Sequence, residues 1–271
     1  MKLGRRNDID TVSFHGTMVL LSFICVVILV APTVIVIITS FTSAFSLRFP
    51  PPGYSLRWYA ALVDAWQLHF AALNSLKIAL WTTALSILLG VAAALGIARS
   101  KTLTAKVLDS VFMSPLALPA LAFGLSALML FTALGLPASP MTLTIGHTIV
   151  CVPYVIRTTV AALAQLDPVL LESSASLGAS RLYSFRRITL PLIRPGILAG
   201  GFIAFMSSFD NVPVSLFLRD ARTDMLPIRM WTDLESRLDV TIAAASGVLI
   251  VFTVALMILM ERIAGLSRRI R

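Results

Sequence analysis

Six stretches of the chain run for more than twenty positions with few charges: about Gly16–Ser40, Ala71–Ala98, Leu108–Leu134, Met141–Ala164, Gly196–Leu218 and Thr241–Ala264. An α-helix needs roughly 17–25 mostly apolar residues to cross the hydrocarbon core of a bilayer. Each stretch is long enough, and the pattern predicts an all-α membrane protein with six transmembrane helices. Lys2, Arg5 and Arg6 precede the first run, as they would in a signal peptide. That run continues too long, however, and lacks an Ala-x-Ala cleavage site, so it reads as a retained first span.

Composition agrees: 58% of the 271 residues are hydrophobic and 13% are charged. A soluble domain carries about 25% charged residues, so there is too little polar sequence to coat a water-soluble globule. The two cysteines, Cys25 and Cys151, lie inside apolar runs and read as small buried hydrophobes. The formal net charge of +9 would suggest nucleic acid in a soluble protein. Here the distribution of the charge is more informative. With the N-terminus inside and six alternating spans, fourteen Lys and Arg fall on the cytoplasmic side, among them Lys106, Arg181, Arg186, Arg187, Arg194 and Arg262. Six fall outside: Arg48, Arg57, Arg219, Arg222, Arg229 and Arg237. This is the positive-inside bias, with both termini cytoplasmic. The charge encodes topology, and no nucleic-acid partner is expected.

Residues 1–15 then form a cytoplasmic N-terminus and 16–271 a single membrane domain, with outer segments at about 41–70 and 219–240. Pro50-Pro51-Pro52-Gly53 excludes a helix interior in the first of these. Trp58, Tyr59 and Trp66 follow it and suit an interfacial helix. Pro115 and Pro119 kink the third span, and Gly135 and Pro137 turn the chain back. Lys77 and Arg157 read as residues that snorkel from span ends. His147 opens the fourth span as an interfacial or hydrogen-bonded histidine. His15 and His69 are remote in sequence, and no Cys/His spacing suggests a metal.

The longest cytoplasmic loop, residues 165–195, is the most informative segment. Asp167-Pro168 is a helix start, with Asp as cap and Pro in the first turn. A short helix over Val169–Leu177 runs to Gly178, which can close a helix in the left-handed conformation. A second short helix from about Ala179 or Ser180 is predicted to stop at Pro191. The loop is therefore a helix–turn–helix elbow between spans four and five.

Glu172, two small residues, Gly178 six positions on, Ile188, and Leu190-Pro191 together resemble the EAA loop of ABC-importer permeases. Two serines, Ser173 and Ser174, stand where that family carries alanines. His147 through Pro153-Tyr154 to Arg157, and Asn74-Ser75-Leu76, extend the similarity over about residues 70–265. The resemblance implies that the elbow docks in a groove of a cytoplasmic ATPase through Glu172, Ser173, Ser174, Gly178, Ala179, Ser180, Tyr183, Phe185, Ile188, Leu190 and Pro191. It also implies a second permease subunit, homologous but different, two ATPase subunits, and an external substrate-binding protein. The setting it implies is the bacterial inner membrane.

Ser207-Ser208-Phe209-Asp210-Asn211-Val212-Pro213 in the fifth span is similar to the spermidine/putrescine branch of that family. Related branches carry ferric iron, thiamine or phosphonates. Asp210 is a carboxylate placed well within a span, where a charge costs roughly 2.5–3.5 kcal/mol on insertion scales. Ser207, Ser208, Asp210 and Asn211, beside Pro213, suggest a broken helix lining a translocation path. An inter-helix hydrogen bond or an ion pair with another subunit is the alternative for Asp210. No Gly-x-x-x-x-Gly-Lys-Ser/Thr phosphate loop occurs, so any ATP and Mg²⁺ belong to a partner and the chain itself is expected to bind no cofactor. A channel or proton-coupled carrier acting alone is the competing class, but a carrier normally needs several buried ionisable groups.

Overall fold

Thirty-three residues, Trp66–Ala98, form one unbroken helix whose buried positions include Ser75, Ala79, Thr82, Ser86, Gly90 and Ala94. Small residues recurring every three or four positions make a flat seam, along which another membrane helix can approach closely. The computed structural model describes residues 4–98, 100, 102–237 and 240–264. Of the basic residues counted for topology, Lys2, Arg99, Lys101, Arg268, Arg269 and Arg271 lie outside these residues, as do the side chains of Arg5, Arg6 and Arg237. Among the described residues the elements are α1 (Gly4–Ser40), α2 (Arg57–Asp64), α3 (Trp66–Ala98), α4 (Leu103–Ala117), α5 (Ala120–Ala133) and α6 (Pro140–Ala164). These are followed by α7 (Pro168–Ser176), α8 (Arg181–Ser184), α9 (Leu190–Phe209), α10 (Val212–Leu218), α11 (Leu226–Arg237) and α12 (Thr241–Ala264). Extended pairing among them is limited to one bridge, Thr42 with Tyr54. The protein is thus all-α and multi-pass.

The chain divides into two units, residues 1–65 with 233–254, and residues 66–232 with 255–271. In the first, α1 presents an apolar surface outward over most of residues 14–37, with Phe23, Ile28 and Leu29 among its exposed side chains. The outer segment after it folds back on itself: Ser43 N donates to Gly53 O at 2.9 Å, and Trp58 Nε1 donates to Ala44 O at 3.2 Å. The Arg57 guanidinium lies 4.0 Å from the centroid of Phe45, and Ser40 Oγ and Tyr59 Oη are 2.8 Å apart. α2 buries none of its side chains.

In the second unit α3, α6 and α9 pack as a three-helix core. Gly196 and Gly200 of α9, four residues apart, face α6. A Cβ at Gly196 would lie 2.6 Å from Ala162 Cβ and 2.7 Å from Thr158 O, and one at Gly200 only 2.8 Å from Val155 Cα. The two helices touch backbone to backbone there, which only glycine permits. Cys151, Val155 and Ala204 fill the adjoining core.

Two expectations need correction. The third span is not one kinked helix: α4 and α5 meet at an angle of 107°. Pro115 is accommodated inside α4. The break is at Pro119, which has no amide hydrogen and pushes Leu118 into an extended conformation, ψ 143°. Among the described residues, five helices are long and apolar enough to cross a membrane, or six if this bent pair counts as one span. The second correction concerns Pro191, which does not stop the helix that begins at Arg181. A π-helical turn over Phe185–Thr189 joins α8 to α9, with Leu190 N donating to Phe185 O. The wider turn lies just before Pro191, which has no amide hydrogen to donate to the preceding turn. The fifth candidate span accordingly runs over Arg181–Phe209, starting well before Gly196.

Candidate functional site

The elbow is built from local signals. Asp167 caps α7, accepting from Val169 N at 2.9 Å, and Pro168 occupies the first turn. Gly178 has φ of +78°, a conformation in which a Cβ would crowd the backbone. Behind it, Ala179 N donates to Ser174 O at 3.1 Å, and the Ser180 hydroxyl accepts from Tyr183 N at 3.3 Å. The two serines at the small-residue positions behave differently. Ser174 is buried, with its Oγ 2.6 Å from Ser184 Oγ, so it ties α7 to α8. Ser173 is exposed, as are Glu172, Leu190 and Pro191. Tyr183 is exposed, whereas Phe185 and Ile188 are half-buried. Leu170, Leu171 and Leu182 are exposed too, and Leu177 at the tip is 88% exposed. The elbow is therefore a stiff projection whose apolar side chains are left exposed by the described residues.

The fifth-span patch is a break in a helix, as its sequence suggests. α9 ends at Phe209 with Asp210 as its C-cap, and Asn211 caps α10, its Oδ1 accepting from Val214 N at 3.0 Å. The four polar residues of the patch do not share one surface. Ser208 is buried, Ser207 and Asn211 are half-buried, and Asp210 is exposed.

His147 of α6 lies between the two half-helices and is fully buried. Its Nδ1 is 2.8 Å from Ser208 Oγ in the last turn of α9. Its Nε2 is 3.0 Å from Ser215 Oγ in α10. Both ring nitrogens are satisfied, which a buried imidazole requires. The sequence points to a hydrogen-bonded His147 but not to its partners, which lie 61 and 68 residues away. α10 is also held by its neighbours: Val214 and Leu218 share a cluster with Ala127, Phe131 and Leu143.

At the other end of α10 the segment 219–229 is fastened to the start of α3. Arg219 Nη1 lies 2.7 Å from Asp224 Oδ1, and Arg229 approaches the other carboxylate oxygen at 3.9 Å. Asn74 Nδ2 donates to Asp224 O at 3.2 Å, and Leu226 N donates to Ser75 Oγ at 2.9 Å. The Asp220 carboxylate accepts from Thr223 N and Arg222 N at 2.6 and 3.0 Å. A bond from the Thr223 side chain, helped by these two and by the nearby Arg222 charge, holds the carboxylate below its usual range. Arg157, read as a snorkelling residue, pairs with Asp109 of α4 at 3.3 Å. Among the described residues, no three His, Cys, Asp or Glu side chains gather as metal ligands would.

Over residues 86–269 the sequence matches the family described as the inner membrane component of binding-protein-dependent transport systems. The chain belongs to that family: it is a multi-pass inner-membrane permease of the ABC-importer type. It is 29% identical over 238 residues to the spermidine/putrescine transport system permease protein PotC of Escherichia coli strain K12, covering 86% of this chain and 88% of that one. To the putrescine transport system permease protein PotI of the same strain it is 33% identical over 211 residues, 75% of each chain. Among solved structures it resembles the bacterial alginate ABC transporter in complex with its alginate pentasaccharide-bound periplasmic protein, with a TM-score of 0.72, 17% identity and 97% of both chains covered. The MetNI methionine ABC transporter in an inward-facing conformation gives a TM-score of 0.64 at 14% identity, over 75% of this chain and 97% of that one.

Proposed function

We propose that this permease forms half of the translocation path of a polyamine importer and is driven by ATPase subunits that dock on its elbow. The similarity to PotC and to PotI over most of the chain carries the substrate class. Asp210 supports it, since an exposed carboxylate at a helix break is suited to attract an amine cation. The elbow supports the coupling: Leu170, Leu171, Leu177 and Tyr183 offer an apolar face of the kind that enters a groove on a partner. Glu172, Ser173, Ser174, Gly178, Ala179, Ser180, Phe185, Ile188, Leu190 and Pro191 complete that projection. The full assembly then has a second, homologous permease, two ATPases holding ATP and Mg²⁺, and an external binding protein. The chain is a transport subunit without hydrolytic residues, and both termini face the cytoplasm. For ATP to drive the transporter, its binding must favour one state of the elbows over the other by a few kcal/mol.

The test is ATP hydrolysis by the complex co-purified with this chain in lipid nanodiscs, with the external binding protein and with or without putrescine or spermidine. Stimulation by a polyamine is expected. A co-purifying ATPase indifferent to polyamines removes the substrate assignment, and the absence of any ATPase removes the coupling role.

A further inference from the structure

We infer that His147 is the positioning residue of the translocation path: a clasp whose two ring nitrogens fix the two halves of the broken helix and so place Asp210 and Asn211. The inference rests on the permease reading above and assigns to α6 a part that no residue of the elbow or of the fifth-span patch supplies.

A helix interrupted inside a membrane has a specific problem. The last carbonyls of α9 and the first amides of α10 lose their intrahelical partners, and there is no water in the hydrocarbon to replace them. Part of this is solved locally. Asp210 N donates to Met206 O at 3.1 Å, and Asn211 caps Val214 N. Those bonds finish each half without fixing one half relative to the other. Ser208 and Ser215 lie seven residues apart on opposite sides of the break, and both hydroxyls meet the same imidazole, at 2.8 and 3.0 Å.

A neutral imidazole offers one N–H and one bare nitrogen, while a serine hydroxyl can donate or accept. The clasp therefore closes in either tautomer, with one serine donating to the ring and the other accepting from it. The ring is anchored independently of both serines because it belongs to α6. There the capping box of Ser139 and Thr142 fixes the helix start, and Gly146, the preceding residue, lets Leu218 and Val214 of α10 pack directly on the helix. Removing the ring takes away the shared partner of two buried hydroxyls that stand on opposite sides of the break.

The experiment uses the complete transporter with His147→Phe, which keeps an aromatic ring, somewhat larger, and removes both bonds. His147→Gln restores one donor and one acceptor. Two readouts are taken. In the first, stimulation of ATP hydrolysis by the loaded binding protein is expected to fall about tenfold in His147→Phe, equivalent to roughly 1.4 kcal/mol of coupling. Most of it should return in His147→Gln, with half-maximal binding-protein concentration unchanged. In the second, amide hydrogen exchange over residues 205–216 is expected to rise in His147→Phe while the remainder of α9 stays protected.

The second readout does not depend on transport. A wild-type complex that no binding protein stimulates overturns the permease reading, while exchange still judges the clasp. Unaltered exchange over 205–216 overturns the clasp even where transport is normal. Should His147→Phe fail to assemble, Ser208→Ala and Ser215→Ala each remove one bond and are read in the same two ways. Additive effects of that pair would also overturn a shared clasp.

Discussion

His147 Nε2 lies 3.0 Å from Ser215 Oγ, a bond between the fourth span and a half-helix that begins 65 positions later. It turns the fifth-span patch from a row of polar residues into a jointed element with an external anchor. Ser208, which by sequence belongs to the path, faces His147 in the interior instead. Of the patch, Asp210 is left as the exposed charge.

Gly178→Ala should weaken the elbow by about 1 kcal/mol, and Gly178→Pro should disrupt it, because the residue sits at φ +78°. The measurement is ATPase co-purification together with hydrolysis stimulated by the binding protein. Normal stimulation in Gly178→Pro would show that the turn is not part of the coupling device.

Gly200→Ala should destabilise the isolated permease by about 1–3 kcal/mol, through overpacking at a backbone contact. The new Cβ would lie 2.8 Å from Val155 Cα, an atom that cannot rotate away. Thermal unfolding in detergent reads this directly, and an unshifted midpoint would mean that α6 and α9 separate more easily than their contact suggests.

The side of the membrane on which the elbow lies can be tested by labelling. With Cys25 replaced by Ser, a membrane-impermeant thiol reagent applied to whole cells should modify Arg222→Cys and leave Ser176→Cys untouched. Inverted vesicles should give the opposite pattern. Arg222 is the better outer probe because its neighbour Thr223 is buried. Labelling of Ser176→Cys from outside would invert the topology drawn from the Lys and Arg distribution.

What could be read from the sequence was what is local. Asp167-Pro168 and Gly178 bound α7 within one residue of expectation because caps and a left-handed closure depend on adjacent residues. Long apolar runs identify spans for the same reason. Proline was harder to read: Pro115 and Pro153 sit inside helices, Pro119 ends one, and Pro191 begins one after a π turn. The missing amide is the same in each case, and neighbouring helices decide whether the chain bends, breaks or widens. The site followed the same division. The break at Asp210-Asn211 was visible in its own residues, whereas the His147 clasp joins segments whose meeting depends on how α6 and α9 pack.

Asp210→Asn tests the path most directly. The residue is exposed at the C-cap of α9, and neither of the hydrogen bonds that hold the break together uses its carboxylate. Asparagine keeps the size and the capping ability and removes the charge. Assembly with the ATPase and thermal stability should therefore stay near wild type, while the maximal rate of polyamine uptake falls by about tenfold or more. A loss of about 1.4 kcal/mol in attraction between a carboxylate and an amine cation suffices for that factor. If uptake instead keeps its maximal rate while the complex loses stability, Asp210 pairs with a group on the second permease subunit, and the amine must be received elsewhere in the path.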